Sequence, residues 1–217
     1  MSEQFSARRV PEGKLRLLQA ALRLITSSRS LTSLGIRELA RAASLNPNTF
    51  YRHFKDLDDF GLFVLDYVAG EVKQQVRLLR QQAASSDQAA RDTVAFVYEY
   101  FRDNPAIPTV AVRELHGPSA VLRQAIDEQL EQAAREMTED TVERRLVPDI
   151  ERSVLLDIAR TTVRYMLFRG MDYIEYPDQQ DAIRLETVRF LRRQYAGALA
   201  EQVSPELMSR LMGTEPG

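Results

Sequence analysis

The chain has 217 residues, 44% hydrophobic and 28% charged, with nine glycines, nine prolines and no cysteine. That is enough apolar material for one large domain or for a small one beside a medium one, and the sparing use of glycine and proline favours long helices over sheet. The lack of cysteine excludes disulfides and thiolate metal sites and fits a reducing compartment. No run of about 18 apolar residues marks a membrane span.

The start, Met1-Ser2-Glu3-Gln4, lacks the basic-then-apolar order of a signal peptide, so a cytoplasmic protein is expected. The net charge of −2 argues on its own against a nucleic-acid partner. Its distribution argues the other way, because residues 1–55 hold ten Lys and Arg against only Glu3, Glu12 and Glu38. A basic head on an acidic body is the electrostatic footprint of a protein that meets phosphate at one end. The alternative is a basic solvated face with no partner.

In chain order, residues 1–11 carry Arg8, Arg9 and Pro11; they read as an arm on a phosphate backbone or minor groove, or as a loose terminus. A first helix is predicted from about Glu12 to Thr26, with Leu15, Leu18, Leu22 and Ile25 as one apolar stripe. Ser27-Ser28-Arg29-Ser30 breaks it, and the leucines of Leu31 to Leu34 plug the small core. A second helix runs from about Ile36 to Ala43, with Gly35 at its N-cap and Glu38 three residues on, a capping box without its hydroxyl. Ser44-Leu45-Asn46 is the turn.

The stretch Asn46 to Lys55 follows. Asn46-Pro47 reads as an N-cap and a proline-tolerant first position. Phe50 and Phe54 are four apart and share one face, while Asn48, Thr49, Arg52 and Lys55 are polar and fall largely elsewhere. A two-turn helix with two aromatic anchors and a basic, hydrogen-bonding remainder suits insertion into a DNA major groove, and with its two predecessors it makes a helix-turn-helix.

A fourth helix is predicted from Asp56 or Leu57 to the break at Ser85-Ser86. It is apolar on most sides as far as Ala69, so it is wedged between neighbours and joins head to body. Further helices are expected over about Gln88–Arg102, Pro105–His116, Ser119–Arg145, Ile150–Tyr173 and Asp181–Val203, separated by Asn104-Pro105, Gly117-Pro118, Pro148 and Pro177. The last two carry stripes wider than one core needs: Leu155, Ile158 and Thr162 on one, Val188, Leu191, Tyr195 and Ala198 on the other. Those stripes predict a homodimer built across a two-fold axis as a four-helix bundle, with Gly197 allowing close helix approach.

Residues 12–60 resemble the DNA-binding domain of the TetR family of one-component bacterial transcriptional regulators. The resemblance is carried by Ile36-Arg37-Glu38-Leu39-Ala40, Ala43-Ser44-Leu45-Asn46 and Thr49-Phe50-Tyr51-Arg52-His53-Phe54-Lys55. Within that family, Asn46 to Leu62 and Arg113-Glu114-Leu115-His116-Gly117 look most like the FabR and DesT regulators of unsaturated fatty-acid synthesis. Two positions depart from the family pattern: Ser44 stands for a usual turn glycine, and Gly35 for a frequent capping serine or threonine.

The resemblance implies an all-α, TetR-like fold: a three-helix helix-turn-helix head over residues 1–55 and a larger helical effector-binding and dimerisation body over 56–217. It implies a nucleoid-associated homodimeric repressor on palindromic double-stranded operator DNA, with no cofactor or metal and no membrane partner. Tyr51, His53 and Lys55 would meet phosphates, Lys55 from the start of the fourth helix. Asn46, Asn48, Thr49 and Arg52 would lie at the DNA surface, the last three on base edges or adjacent phosphates, and Arg37 would reach the backbone. Taken alone, His53 reads equally as a surface histidine.

An effector, an acyl-CoA or another small hydrophobic molecule, is expected among Phe63, Tyr67, Tyr98, Phe101, Tyr165, Met166 and Phe168, with Arg113 and Arg169 toward an acidic headgroup. Aromatics at helical spacing read equally as core. An enzyme is disfavoured: His53 and His116 are the only histidines, and no HExxH, glycine-rich phosphate loop or GxSxG occurs.

Overall fold

The computed structural model describes residues 10–25, 31–147 and 150–204. The basic arm with Arg8 and Arg9, the breaks at Ser27–Ser30 and Pro148, and the tail from Pro205 lie outside the described residues. The described residues are helical throughout: α1 (Glu12–Leu24), a 3-10 turn (Leu31–Ser33), α2 (Ile36–Ala42), α3 (Pro47–His53), α4 (Leu57–Gln82), α5 (Ser86–Asp103), α6 (Ala106–Glu114), α7 (Ala120–Glu143), α8 (Arg152–Glu175) and α9 (Gln180–Val203). The expected all-helical fold, a helix-turn-helix head on a helical body, is the observed one.

Local chemistry sets most of these ends. Asn46 caps α3 by accepting from Asn48 N at 2.9 Å, with Pro47 in the first turn. Asp56, Ser85 and Ser119 cap α4, α5 and α7 in the same way. Gly35 caps α2 without a side-chain bond. Ser44 adopts φ 54°, in the left-handed region that glycine occupies without strain.

The head is cored by Leu17, Leu18 and Ala21 of α1, Leu39 of α2, and Phe50 and Phe54, with Leu31 and Leu34 as the predicted plugs. Phe50 is fully buried, and truncating such a ring costs about 3–5 kcal/mol. The same core runs on into Phe60 and Val64 of α4, Val110 of α6 and Leu122 of α7. Phe54 and Phe60 meet with ring centroids 5.1 Å apart. The link between α3 and α4 is three residues long and tied: Lys55 N donates to Asp59 Oδ2 at 2.9 Å and Asp59 N to Asp56 Oδ1 at 2.8 Å. Lys55 therefore precedes the cap of α4 instead of standing in its first turn.

In the body, α7 lies along α8, α4 packs on α7 and α5, and α5 lies against both α8 and α9. One core joins Val94, Val97, Tyr98 and Phe101 of α5 to Met166, Leu167 and Tyr173 of α8 and to Ile183 and Val188 of α9. Another joins Ala134 and Met137 to Ile158, Ala159 and Leu191. The close helix approach is at Gly170, where a Cβ would stand 2.4 Å from the Phe101 ring; around Gly197 there is open space within the chain.

The stripes assigned to dimerisation are corrected here. Leu155, Ile158, Thr162, Val188 and Leu191 are buried inside the single chain, and Tyr195 and Ala198 pack against the Ala134–Met137 cluster. The outward faces of α8 and α9 carry Phe168 and Leu185, 47% and 48% exposed, and Tyr165 stacked on Phe190 at 4.2 Å and 14°.

Candidate nucleic-acid interface and effector cavity

The aromatic anchors fix which way α3 faces. With Phe50 and Phe54 in the core, Asn48, Tyr51 and Arg52 are exposed at spacings of three and one that keep them on one face of α3, and Lys55 is exposed in the link that follows. Tyr51 is 61% exposed, its ring edge-on to Phe50. Asn46 and Arg37 are exposed beside this face. Thr49 is the exception: it is buried, and its hydroxyl accepts from the Arg52 guanidinium at 3.0 Å. Its expected place on base edges or adjacent phosphates is corrected to a post beneath Arg52.

His53 is half-buried against Gly13 of α1, where a Cβ would meet its Nε2 at 2.6 Å. Burial, then the nearby Lys14 and Arg52 cations, lower its pKa from the usual 6.5, so the ring is neutral at neutral pH.

Several head cations are structural. Arg16 donates to the carbonyls of Ala43 and Ser44 at 2.7 and 2.9 Å, and Arg23 to that of Ala42 at 3.3 Å, closing the C-terminal end of α2. Lys14 sits over the rings of Phe54 and Phe63, 4.7 and 5.1 Å from their centroids.

A cavity of about 800 Å³ opens in the body between α4, α5, α6, α7 and α8. Val68 and Val72, Val97 and Phe101, Ile126 and Leu130, and Met166 and Leu167 are among the apolar residues of its wall. Its exposed lining residues, including Gln74, Arg77, Gln81, Gln132 and Glu139, all stand on α4 and α7, so the mouth lies along those two helices. On α5 and α8 the wall is buried or nearly so. Glu136, Glu139, Asp140 and Glu143 at the mouth face Lys73, Arg77 and Arg80, with Arg80 paired to Asp140 at 3.1 Å.

Of the nine predicted effector residues, Phe101 and Met166 line this cavity. The other seven do not. Phe63 and Tyr67 pack at the edge of the head core. Tyr98 is fully buried, stacked on Tyr173 at 5.1 Å and bonded to the Thr187 hydroxyl at 2.8 Å; burial raises its pKa. Tyr165 and Phe168 face outward, as described above. Arg169 is engaged by Asp172 and Glu186, both at 2.6 Å, and Arg113 stands in the last turn of α6 away from the cavity wall. Sequence reasoning missed Val64, Val68, Val72, Thr93 and Thr162 as wall residues. The available signal was a threonine set in each of two apolar stripes.

Comparison with known proteins gives the same architecture. Residues 17–60 match the family model of "Bacterial regulatory proteins, tetR family". The whole chain is similar in fold to the fatty acid degradation regulator FadR from Bacillus halodurans, with a TM-score of 0.71 at 13% identity over 88% of this chain and 98% of that one. It is similar to FadR from Bacillus subtilis in complex with stearoyl-CoA, with a TM-score of 0.65 at 14% identity over 84% and 98%. It is also similar to the TetR-family repressor FadR from Thermus thermophilus in complex with lauroyl-CoA, with a TM-score of 0.60 at 19% identity over 83% and 92%. The head is thus matched by sequence to the TetR family model over residues 17–60, and the rest of the chain shares its fold with these regulators.

Proposed function

We propose that the protein is a homodimeric repressor that grips palindromic operator DNA with α3 and is switched by a hydrophobic molecule in the cavity of its body. The observation that carries this reading is mechanical continuity. Val64, Val68 and Val72 of α4 line the cavity, and α4 follows α3 across a three-residue link held by Asp56 and Asp59. Occupancy that shifts α4 therefore re-aims the reading face, in both heads of a dimer at once.

Arg37, Asn46, Asn48, Tyr51, Arg52, His53 and Lys55 form the DNA surface of this reading. The DNA-binding unit is residues 1–55 and the effector and dimerisation unit 56–217, with the head core continuing into Phe60 and Val64. The dimer is built on the outward faces of α8 and α9, through Tyr165, Phe168, Leu185 and Phe190. The protein works in the cytoplasm at the nucleoid.

For the effector we favour a fatty acyl-CoA and control of fatty-acid synthesis. Three things support this: the apolar cavity, the likeness of residues 46–62 and 113–117 to FabR and DesT, and fold neighbours solved with stearoyl-CoA and lauroyl-CoA. A second reading has its own support. Four carboxylates against three cations at the mouth suit an uncharged or cationic hydrophobic compound better than a polyanionic headgroup, which fits a regulator of an efflux or catabolic operon. Calorimetry with saturated and unsaturated acyl-CoA thioesters separates them. Saturable heat together with a changed operator affinity supports the acyl reading; silence from the whole series removes it and leaves the second.

A further inference from the structure

Two hydroxyls on the cavity wall have no partner. Thr93 Oγ1 on α5 and Thr162 Oγ1 on α8 are buried and make no hydrogen bond within the protein. Their residues are only 7% and 1% exposed. Both line the main cavity and also a smaller neighbouring one of about 240 Å³, so they stand at the boundary between the two.

Their orientation departs from that of five other threonines of the long helices and α6. Thr109, Thr138, Thr141, Thr161 and Thr187 each donate to the carbonyl four residues back, at 2.7 to 2.9 Å. Thr93 and Thr162 forgo that local acceptor. A buried hydroxyl is costly without a partner, and the apolar wall of α5 and α8 gains nothing from two of them where valine would pack as well.

We propose that the effector carries a hydrogen-bonding oxygen, a hydroxyl or carbonyl, at its deep end, and that Thr93 and Thr162 receive it. The exposed lining residues all stand on α4 and α7, whereas Thr93 and Thr162 are buried on α5 and α8, so the oxygen is placed away from the mouth. The ligand class is an apolar chain oxygenated at its far end, and the plain alkyl tail is the discriminated analogue. Sites that hydrogen-bond a substrate hydroxyl reject the analogue lacking it because their own polar groups are left unpaired. This inference rests on the cavity being the effector site.

The test compares dodecanoyl-CoA with 12-hydroxydodecanoyl-CoA, and the two corresponding methyl esters, which lack the anionic headgroup. Binding to the full-length protein is measured by calorimetry. The hydroxylated member of a pair is expected to bind about tenfold tighter or more, as one good hydrogen bond supplies. Thr162→Val and Thr93→Val are expected to bring the plain and hydroxylated chains to equal affinity, and Thr162→Ser to keep the difference between them. Equal binding of plain and hydroxylated chains to the wild type overturns the proposal, leaves the acyl reading standing, and means that the two threonines hold water only. Loss of affinity for both chains alike in the valine variants also overturns it. If neither chain binds in either form, the acyl reading falls and this inference with it.

Discussion

Glu114, in the last turn of α6, accepts a hydrogen bond from the backbone N–H of Thr32 at 3.2 Å, and the Thr32 hydroxyl approaches the same oxygen at 3.4 Å. The carboxylate is fully buried. It joins the body to the 3-10 turn of the head, 82 residues apart in sequence. Because Pro108 and Val110 of α6 line the cavity, this bond is a second route, beside α4, from cavity to head.

Removing that acceptor is expected to cost about 1–3 kcal/mol, the penalty for a buried donor left unpaired. Glu114→Ala should lower Tm by several degrees, and Glu114→Gln, which keeps an acceptor oxygen, should lower it less. If the bond transmits the switch, Glu114→Ala should still bind effector by calorimetry but release operator less completely in a titration followed by anisotropy.

His53 provides a pH dependence whose sign is set by its lowered pKa. The folded protein favours the neutral ring, so its contribution to stability is complete above the usual value of 6.5 and is lost as pH falls toward the lowered value. A DNA phosphate beside the ring favours the protonated form. Operator affinity is therefore expected to rise as pH is lowered from about 7.5 to about 6, while thermal stability falls. His53→Gln should flatten the affinity profile relative to wild type.

Ser44 holds φ 54° at the turn between α2 and α3. A non-glycine residue there costs about 1–2 kcal/mol, partly offset in glycine by the greater freedom of its unfolded chain. Ser44→Gly is expected to stabilise by roughly 0.5–1 kcal/mol, read as a rise in denaturation midpoint with an unchanged m-value. Operator affinity should stay as in the wild type.

The outward faces of α8 and α9 predict which substitutions dissociate the proposed dimer. Phe168→Glu or Leu185→Glu places a charge on an exposed apolar face without disturbing the inward core. Each should yield a folded monomer by analytical ultracentrifugation, with operator binding much weakened. A change at Ile158 or Leu191, both inside the chain, should instead lower stability.

Helices and their ends were legible because they are local. Single apolar stripes, capping by Asn46 and the prolines at the breaks act within a few residues of themselves. The exposed face of α3 was legible for the same reason, since Phe50 and Phe54 leave only one side free. Thr49 was not, because a polar residue next to an aromatic anchor gives no sign of its burial beneath an arginine.

On α8 both faces are apolar, so periodicity could not say which one the chain uses internally. Thr162 and Tyr165 consequently exchanged places: the first lines the cavity and the second faces outward. The cavity itself depends on how five helices stand apart, which no single stripe encodes. Charge was informative only in sum, since Lys14, Arg16 and Arg23 are spent on rings and carbonyls inside the head.

On the proposed function, α3 reads DNA through its exposed face. The most direct test is binding to double-stranded DNA from the gene's own neighbourhood, followed by anisotropy at several salt concentrations, for the wild type and for Tyr51→Ala/Arg52→Ala. Specific binding whose logarithm falls linearly with the logarithm of salt concentration, abolished in the double variant with its helicity intact, is the predicted result. Binding that is unchanged in the double variant contradicts the account.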